Sequence, residues 1–201
     1  MRITEKDRRI YKYIENAGFA TVKQIGNIFF NDITYKNELA KKRLNCLVEH
    51  GHIKEVKSVN CNQHVFFADD KYKRQTYHNI VVMDLYSKFL EMRKLEVIKF
   101  EREKTWAGGK VISDAFITVS YADKIQSYIV EVQASKNLWR KSIEKYADME
   151  VLQDMINQSG GVYPIMIFVD SLMHNIENLG TPFDIAQVDM NLNDFPLIFN
   201  M

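Results

Sequence analysis

The chain is poor in the residues that punctuate or staple a fold: 3 prolines, 8 glycines and 2 cysteines in 201 residues. So little glycine and proline excludes a collagenous or low-complexity protein. Cys46 and Cys61 are too few for a disulfide framework and suit a reducing compartment. No apolar run approaches the roughly 20 residues a membrane helix needs. The opening Met1-Arg2-Ile3-Thr4-Glu5-Lys6-Asp7 lacks the apolar stretch of a signal peptide. The expectation is a cytoplasmic protein with no membrane partner. What is present, 46% hydrophobic and 26% charged residues, is the balance of a globular chain of one domain or two small ones.

The net charge of +1 conceals a segregation along the chain. Residues 1–75 hold 15 Lys and Arg against 9 Asp and Glu, a net of +6, and the remainder carries −5. Beyond Tyr146 there is no Lys or Arg, while Asp148, Glu150, Asp154, Asp170, Glu177, Asp184, Asp189 and Asp194 supply eight acids. A polyanion is met by the first third and repelled by the last, and the acidic part suits a basic protein partner.

Start signals and apolar spacing in the first third predict three short helices and a hairpin. Thr4 is placed to cap the first helix, whose Ile10, Tyr13, Ile14 and Ala17 recur at helical spacing before Gly18. Thr21-Val22-Lys23-Gln24 is a capping-box pattern opening the second, which runs to about Phe30. Thr34 is the expected cap of the third, with Leu39, Ala40, Leu44, Leu47 and Val48 as its apolar stripe. Two short strands, Ile53 to Val59 and His64 to Phe67, follow. The pattern reads as a winged helix-turn-helix over 1–70.

In that arrangement the third helix enters the major groove and the wing lies along the backbone. Tyr35, Lys36, Asn37 and Lys41 are the candidate readers of bases. Lys42, Arg43, Lys54 and Lys57 are the candidate phosphate contacts, adding affinity with little sequence preference. The competing reading is a solvated helix face. A convergence of His50, His52, Cys61 and His64 on zinc is the lesser alternative, because His64-Val65-Phe66-Phe67 reads as an ordinary strand edge. Winged helices also read paired half-sites, so a homodimer is a candidate state, with the apolar helix at 80–92 its candidate interface.

A polar stretch at 71–77 is the expected linker to a second domain at 78–201. There the order is a helix from His78, strand candidates at 96–103, 113–121 and 127–133, a long helix at 138–158, a strand at 163–169, a short helix near 172–178 and a last strand near 183–188. The whole is a mixed α+β chain. Alternation puts Asp114, Phe116, Thr118 and Ser120 on one face of the second strand and Glu131 and Gln133 on one face of the third. With Ala122 to Ile125 as the turn, Asp114 falls opposite Gln133 and diagonal to Glu131, about 7 to 8 Å apart at the backbone and within reach of one divalent cation.

Ser113-Asp114 followed by Glu131-Val132-Gln133, on a helix, three strands, helix and strand, resembles the PD-(D/E)xK nuclease superfamily. The resemblance implies Asp114 and Glu131 as ligands of Mg²⁺ or Mn²⁺ and a catalytic set completed by Gln133 and a lysine. Gln133 stands where the motif has its lysine, so Lys136, Lys141 or Lys145 is the candidate substitute. A narrower likeness covers Tyr77-His78-Asn79-Ile80-Val81-Val82, the Asp114 strand, Tyr128-Ile129-Val130-Glu131-Val132 and the basic helix ending Lys145-Tyr146. These resemble the replication-relaxation family of plasmid and phage proteins.

That likeness implies a role in replication, mobilisation or its regulation on a plasmid or phage; joined to the residue reading, it gives a DNA-binding protein whose nuclease-like domain is a candidate degenerate one. The alternatives are an active metal-dependent DNA endonuclease and a winged-helix transcription regulator whose second domain senses a ligand or partner.

Overall fold

The computed structural model describes residues 2–58, 62–92, 94–122, 124–133, 139–172 and 181–200. The chain divides into two compact units, Met1–Glu91 and Met92–Met201. Both mix helix and strand.

The first unit runs α1 (Glu5–Ala17), β1 (Phe19–Thr21), α2 (Val22–Phe29), α3 (Lys36–Glu49), β2 (Lys54–Lys57), β3 (His64–Phe67) and α4 (Tyr77–Glu91). Thr4 and Asp7 form a reciprocal capping box on α1, and Thr21 and Gln24 form another on α2, so each helix start is fixed by its own sequence. Gly18 ends α1 at φ 88°, a left-handed conformation, and a Cβ there would lie 2.5 Å from the Tyr72 ring. The strands form an antiparallel sheet in the order β1-β3-β2. β1 is absent from the sequence expectation because three residues carry no readable period. Ile10, Ile14, Ala20, Ile25, Ala40, Leu44, Leu47 and Phe66 close the core between the helices and this sheet.

Two expectations change here. α3 begins at Lys36 with Tyr35 at its N-cap and no side-chain cap, rather than on Thr34. The helix expected to open the second domain instead completes the first unit. Its Asp84 accepts from Gln24 Nε2 at 2.7 Å and lies 3.1 Å from Lys23 Nζ, and its Ser87 accepts from Asn27 Nδ2 at 3.2 Å. These buried polar groups of α2 are satisfied by α4, so the division falls after Glu91 rather than at 71–77.

The second unit runs β4 (Glu96–Trp106), β5 (Val111–Tyr121), β6 (Lys124–Gln133), α5 (Trp139–Glu144), a helical turn at Lys145–Ala147, α6 (Met149–Gln158), β7 (Ile165–Asp170) and β8 (Ile185–Asp189). The sheet order is β4-β5-β6-β7-β8. The first three strands are antiparallel and the last three parallel. A parallel pair needs a crossover, which the segment holding α5 and α6 supplies between β6 and β7. Phe116, Ile129, Met166 and Phe168 of the sheet pack with Ile143, Tyr146, Val151 and Met155 of that crossover.

The long helix expected at 138–158 is broken. Asp148 is extended and its carboxylate accepts from Glu150 N and Val151 N at 2.9 and 3.3 Å, capping α6. The β5–β6 register also differs: Tyr121 pairs with Lys124 and Ala115 with Val130, because the turn closes over two residues rather than four. A shift of two keeps every side chain on its face, but moves Asp114 from opposite Gln133 to beside Glu131. The short helix expected near 172–178 falls on 173–180, outside the described residues.

Candidate functional site

Two sets of side chains emerge, one in each unit. Of the candidate contacts, Tyr35 at the α3 N-cap, Asn37, Lys41 and Lys42 on α3 and Lys57 on β2 are exposed, and α3 also exposes Glu38, Asn45 and Glu49. Asn37 Oδ1 sits where a Cβ on Gly26 would come within 2.6 Å, so the absence of a side chain at Gly26 lets α3 pack close to α2. Three other candidate contacts carry partners of their own. Lys36 Nζ is 2.6 Å from Glu91, and Lys54 Nζ is 2.7 Å from Asp70. Arg43 turns inward onto fully buried Asp7, with its Nε donating to Oδ1 at 2.6 Å and its Nη2 donating to Oδ2.

The Arg43–Asp7 pair is structural in character. Burial pushes the Asp7 carboxyl up, but the hydrogen bonds from Arg43 and Thr4 outweigh it and hold the group below the usual carboxylate range. Arg43 is therefore committed to the core of its unit. The exposed pair Lys54–Asp70 is a weak, easily exchanged contact.

In the second unit the β5–β6 ladder runs as far as Ala115 and Val130. Just beyond, Asp114 Oδ2 accepts the backbone N–H of Val132 at 2.7 Å. Glu131 is 6% exposed. Both of its oxygens are engaged from the turn that follows α5. Tyr146 OH donates to Oε1, and Lys145 Nζ lies 3.0 Å from Oε1 and 3.1 Å from Oε2. Lys145 Nζ also donates to the Ile112 carbonyl at 3.0 Å. Ser142 Oγ donates to Gln133 Oε1 at 3.0 Å, which ties the amide to α5.

Electrostatics set the pair apart from a solvated strand face. Burial, and then the adjacent Asp114 charge, push the Glu131 carboxyl up to about 7 against the pull of Lys145 and Tyr146. Burial and the Glu131 charge raise the Tyr146 phenol well above its usual value, so it stays a neutral donor. Two carboxylates are thus held near each other at an electrostatic cost that a cation relieves. Both are hard oxygen donors, and Mg²⁺ is commonly held by one or two carboxylates, water and substrate phosphate, so the residues fit such an ion. Among the described residues no three His, Cys, Asp or Glu side chains converge as a metal cluster.

Of the three substitute lysines, Lys145 reaches Glu131, Lys141 is exposed on α5, and Lys136 lies outside the described residues. Cys61 of the zinc alternative also lies outside them, while His64 Nδ1 is 2.6 Å from Glu55 and His50 Nδ1 is 2.8 Å from the Cys46 carbonyl oxygen. Tyr146 is a site residue that sequence reasoning left as the end of a basic helix. Its signal is an aromatic next to the one lysine that a helix break turns toward the sheet.

No family model, curated protein or solved structure matches this chain.

Proposed function

We propose that this chain is a DNA-binding protein of a plasmid or phage, with the first unit acting as a winged helix-turn-helix. The observation that carries the reading is the exposed surface of α3, where Lys41 and Lys42 lie one turn after Asn37 and Glu38 and Tyr35 stands at the N-cap. The element order, with β1 pairing to β3 and extending the β2–β3 hairpin to a three-stranded sheet, supports it further. Lys41 and Lys42 meet phosphates or base edges, and Tyr35 and Asn37 supply base contacts. The role in replication, mobilisation or its regulation rests on the resemblance to the replication-relaxation family.

The test is a mobility shift on duplex DNA across a salt series. Each neutralised phosphate contributes roughly −0.9 to the log–log slope, so Lys41→Glu with Lys42→Glu weakens binding and flattens the slope by about 2. Equal binding by wild type and this variant would falsify the assignment of that face.

A second reading is favoured by Lys145, which supplies at Glu131 the cation that Gln133 lacks. In this reading the second unit is a nuclease-like domain that cleaves DNA. Asp114 and Glu131 would hold Mg²⁺ or Mn²⁺, an ion that neutralises developing charge on a phosphate when bound. Tyr146 orients Glu131 and Gln133 is held by Ser142, while Lys145 Nζ lies 3.0 Å from Glu131 Oε1. The discriminating assay is cleavage of supercoiled DNA with Mg²⁺ or Mn²⁺. Cleavage by wild type that is lost in Asp114→Ala, with the mobility shift retained, is the expected result. Binding without cleavage in either metal leaves the DNA-binding role alone.

A further inference from the structure

Glu131 receives two donors from consecutive residues of one turn, and they differ in kind. Tyr146 is fully buried among the core residues, carries a neutral hydroxyl and has its ring fixed by packing. Lys145 is one third exposed, carries a full charge and sits on a flexible four-carbon stem. Its Nζ bridges both oxygens of Glu131 and keeps a second anchor on the Ile112 carbonyl outside the carboxylate pair. The break between α5 and α6 makes this possible, since the turn at Lys145–Ala147 brings both side chains to one strand position.

We propose that Lys145 is a tethered counter-cation that occupies the divalent cation's place at Glu131, so that metal entry requires Lys145 to leave the carboxylate while Tyr146 stays. This inference rests on the cation-binding reading of Asp114 and Glu131. Two near carboxylates need positive charge, and in the metal-free protein the chain provides it from Lys145. An ammonium and a divalent cation cannot share the same oxygens at contact distance without repulsion. Lys145 therefore competes with metal, and its exposure gives it a path to solvent while the Ile112 carbonyl keeps it near the site.

The test uses the full chain and Mn²⁺ alone at pH 8, with binding followed by calorimetry for wild type, Lys145→Met, Lys145→Arg and Tyr146→Phe. Removing the competing charge in Lys145→Met tightens Mn²⁺ binding by about tenfold or more, equivalent to about 1.4 kcal/mol. Lys145→Arg binds as wild type does, and Tyr146→Phe gains nothing. A second measurement covers misfolding of Lys145→Met: in wild type, acetic anhydride labels Lys145 faster at saturating Mn²⁺ than without it.

Equal or weaker binding by folded Lys145→Met, unchanged labelling at saturating Mn²⁺, or no Mn²⁺ binding by any variant overturns the proposal. The nuclease reading fails separately. Tenfold tightening without DNA cleavage leaves a gated cation site and no nuclease, while wild-type cleavage without tightening keeps the nuclease and removes the competition.

Discussion

Replacing Glu131 by Gln tests the electrostatic description of the carboxylate pair without reference to any substrate. The fold holds this carboxyl at about 7 rather than the ordinary 4.5. At about 1.4 kcal/mol per pH unit, that difference corresponds to about 3 kcal/mol of folding free energy. The sign follows from the raised value. Below pH 4.5 the group is neutral in both folded and unfolded chains, and its contribution to stability is fully present. As pH rises through about 7 the folded protein must ionise a buried acid beside Asp114, and that contribution is lost. Glutamine mimics the neutral acid and does not titrate. The stability of Glu131→Gln minus that of wild type should thus grow by up to about 3 kcal/mol between pH 4.5 and pH 8. Urea unfolding followed by tryptophan fluorescence reads it cleanly, because the chain's 2 tryptophans, Trp106 and Trp139, both belong to the second unit. Titrations shared by the two proteins cancel in the difference. A difference that stays flat with pH refutes the argument that burial and Asp114 dominate over Lys145.

Three further outcomes follow from named contacts. Arg43→Ala strands the buried Asp7 carboxylate and destabilises the first unit by about 3 kcal/mol in chemical unfolding, while the salt slope of DNA binding is unchanged. A loss of slope without a loss of stability would return Arg43 to the phosphate contacts. Gly18→Ala forces a side chain into a left-handed conformation and onto the Tyr72 ring, costing about 2 kcal/mol or more; a neutral thermal shift contradicts that geometry. Asp148→Ala removes the α6 cap at a cost of about 1 kcal/mol, read by the same tryptophan-monitored unfolding, and no change would show that the break is held by packing alone.

Local signals were legible in the sequence and long-range ones were not. The capping boxes of α1 and α2 are written in Thr4 and Asp7 and in Thr21 and Gln24, three residues apart, and both appear in the structure. The mixed α and β character follows from periodicity alone. β1 is three residues long and is defined only by pairing with β3, whose partner residues lie 44 or more positions further along the chain, so no local pattern announces it. The position of Asp114 relative to Glu131 depends on turn length, and two residues more or fewer leave alternation unchanged. Asp148 carries the cap signal for α6, but apolar residues at helical spacing across it, Ile143, Ala147 and Val151, mask it. The partner of Arg43 lies 36 residues away, and Asp84 and Ser87 of α4 are matched to Gln24 and Asn27 of α2 rather than to the strands that follow in sequence. Lys145 was one of three lysines at suitable distance, and the helix break that selects it is a tertiary feature.

If the first unit meets DNA through the exposed face of α3, Lys41 and Lys42 carry part of the salt dependence of binding. A salt-series mobility shift comparing wild type with the Lys41→Glu, Lys42→Glu pair tests it most directly. The expected result is a steep salt dependence in wild type that falls by about 2 in log–log slope in the variant, with both proteins equally folded. No wild-type shift at low salt, or identical slopes, would contradict it.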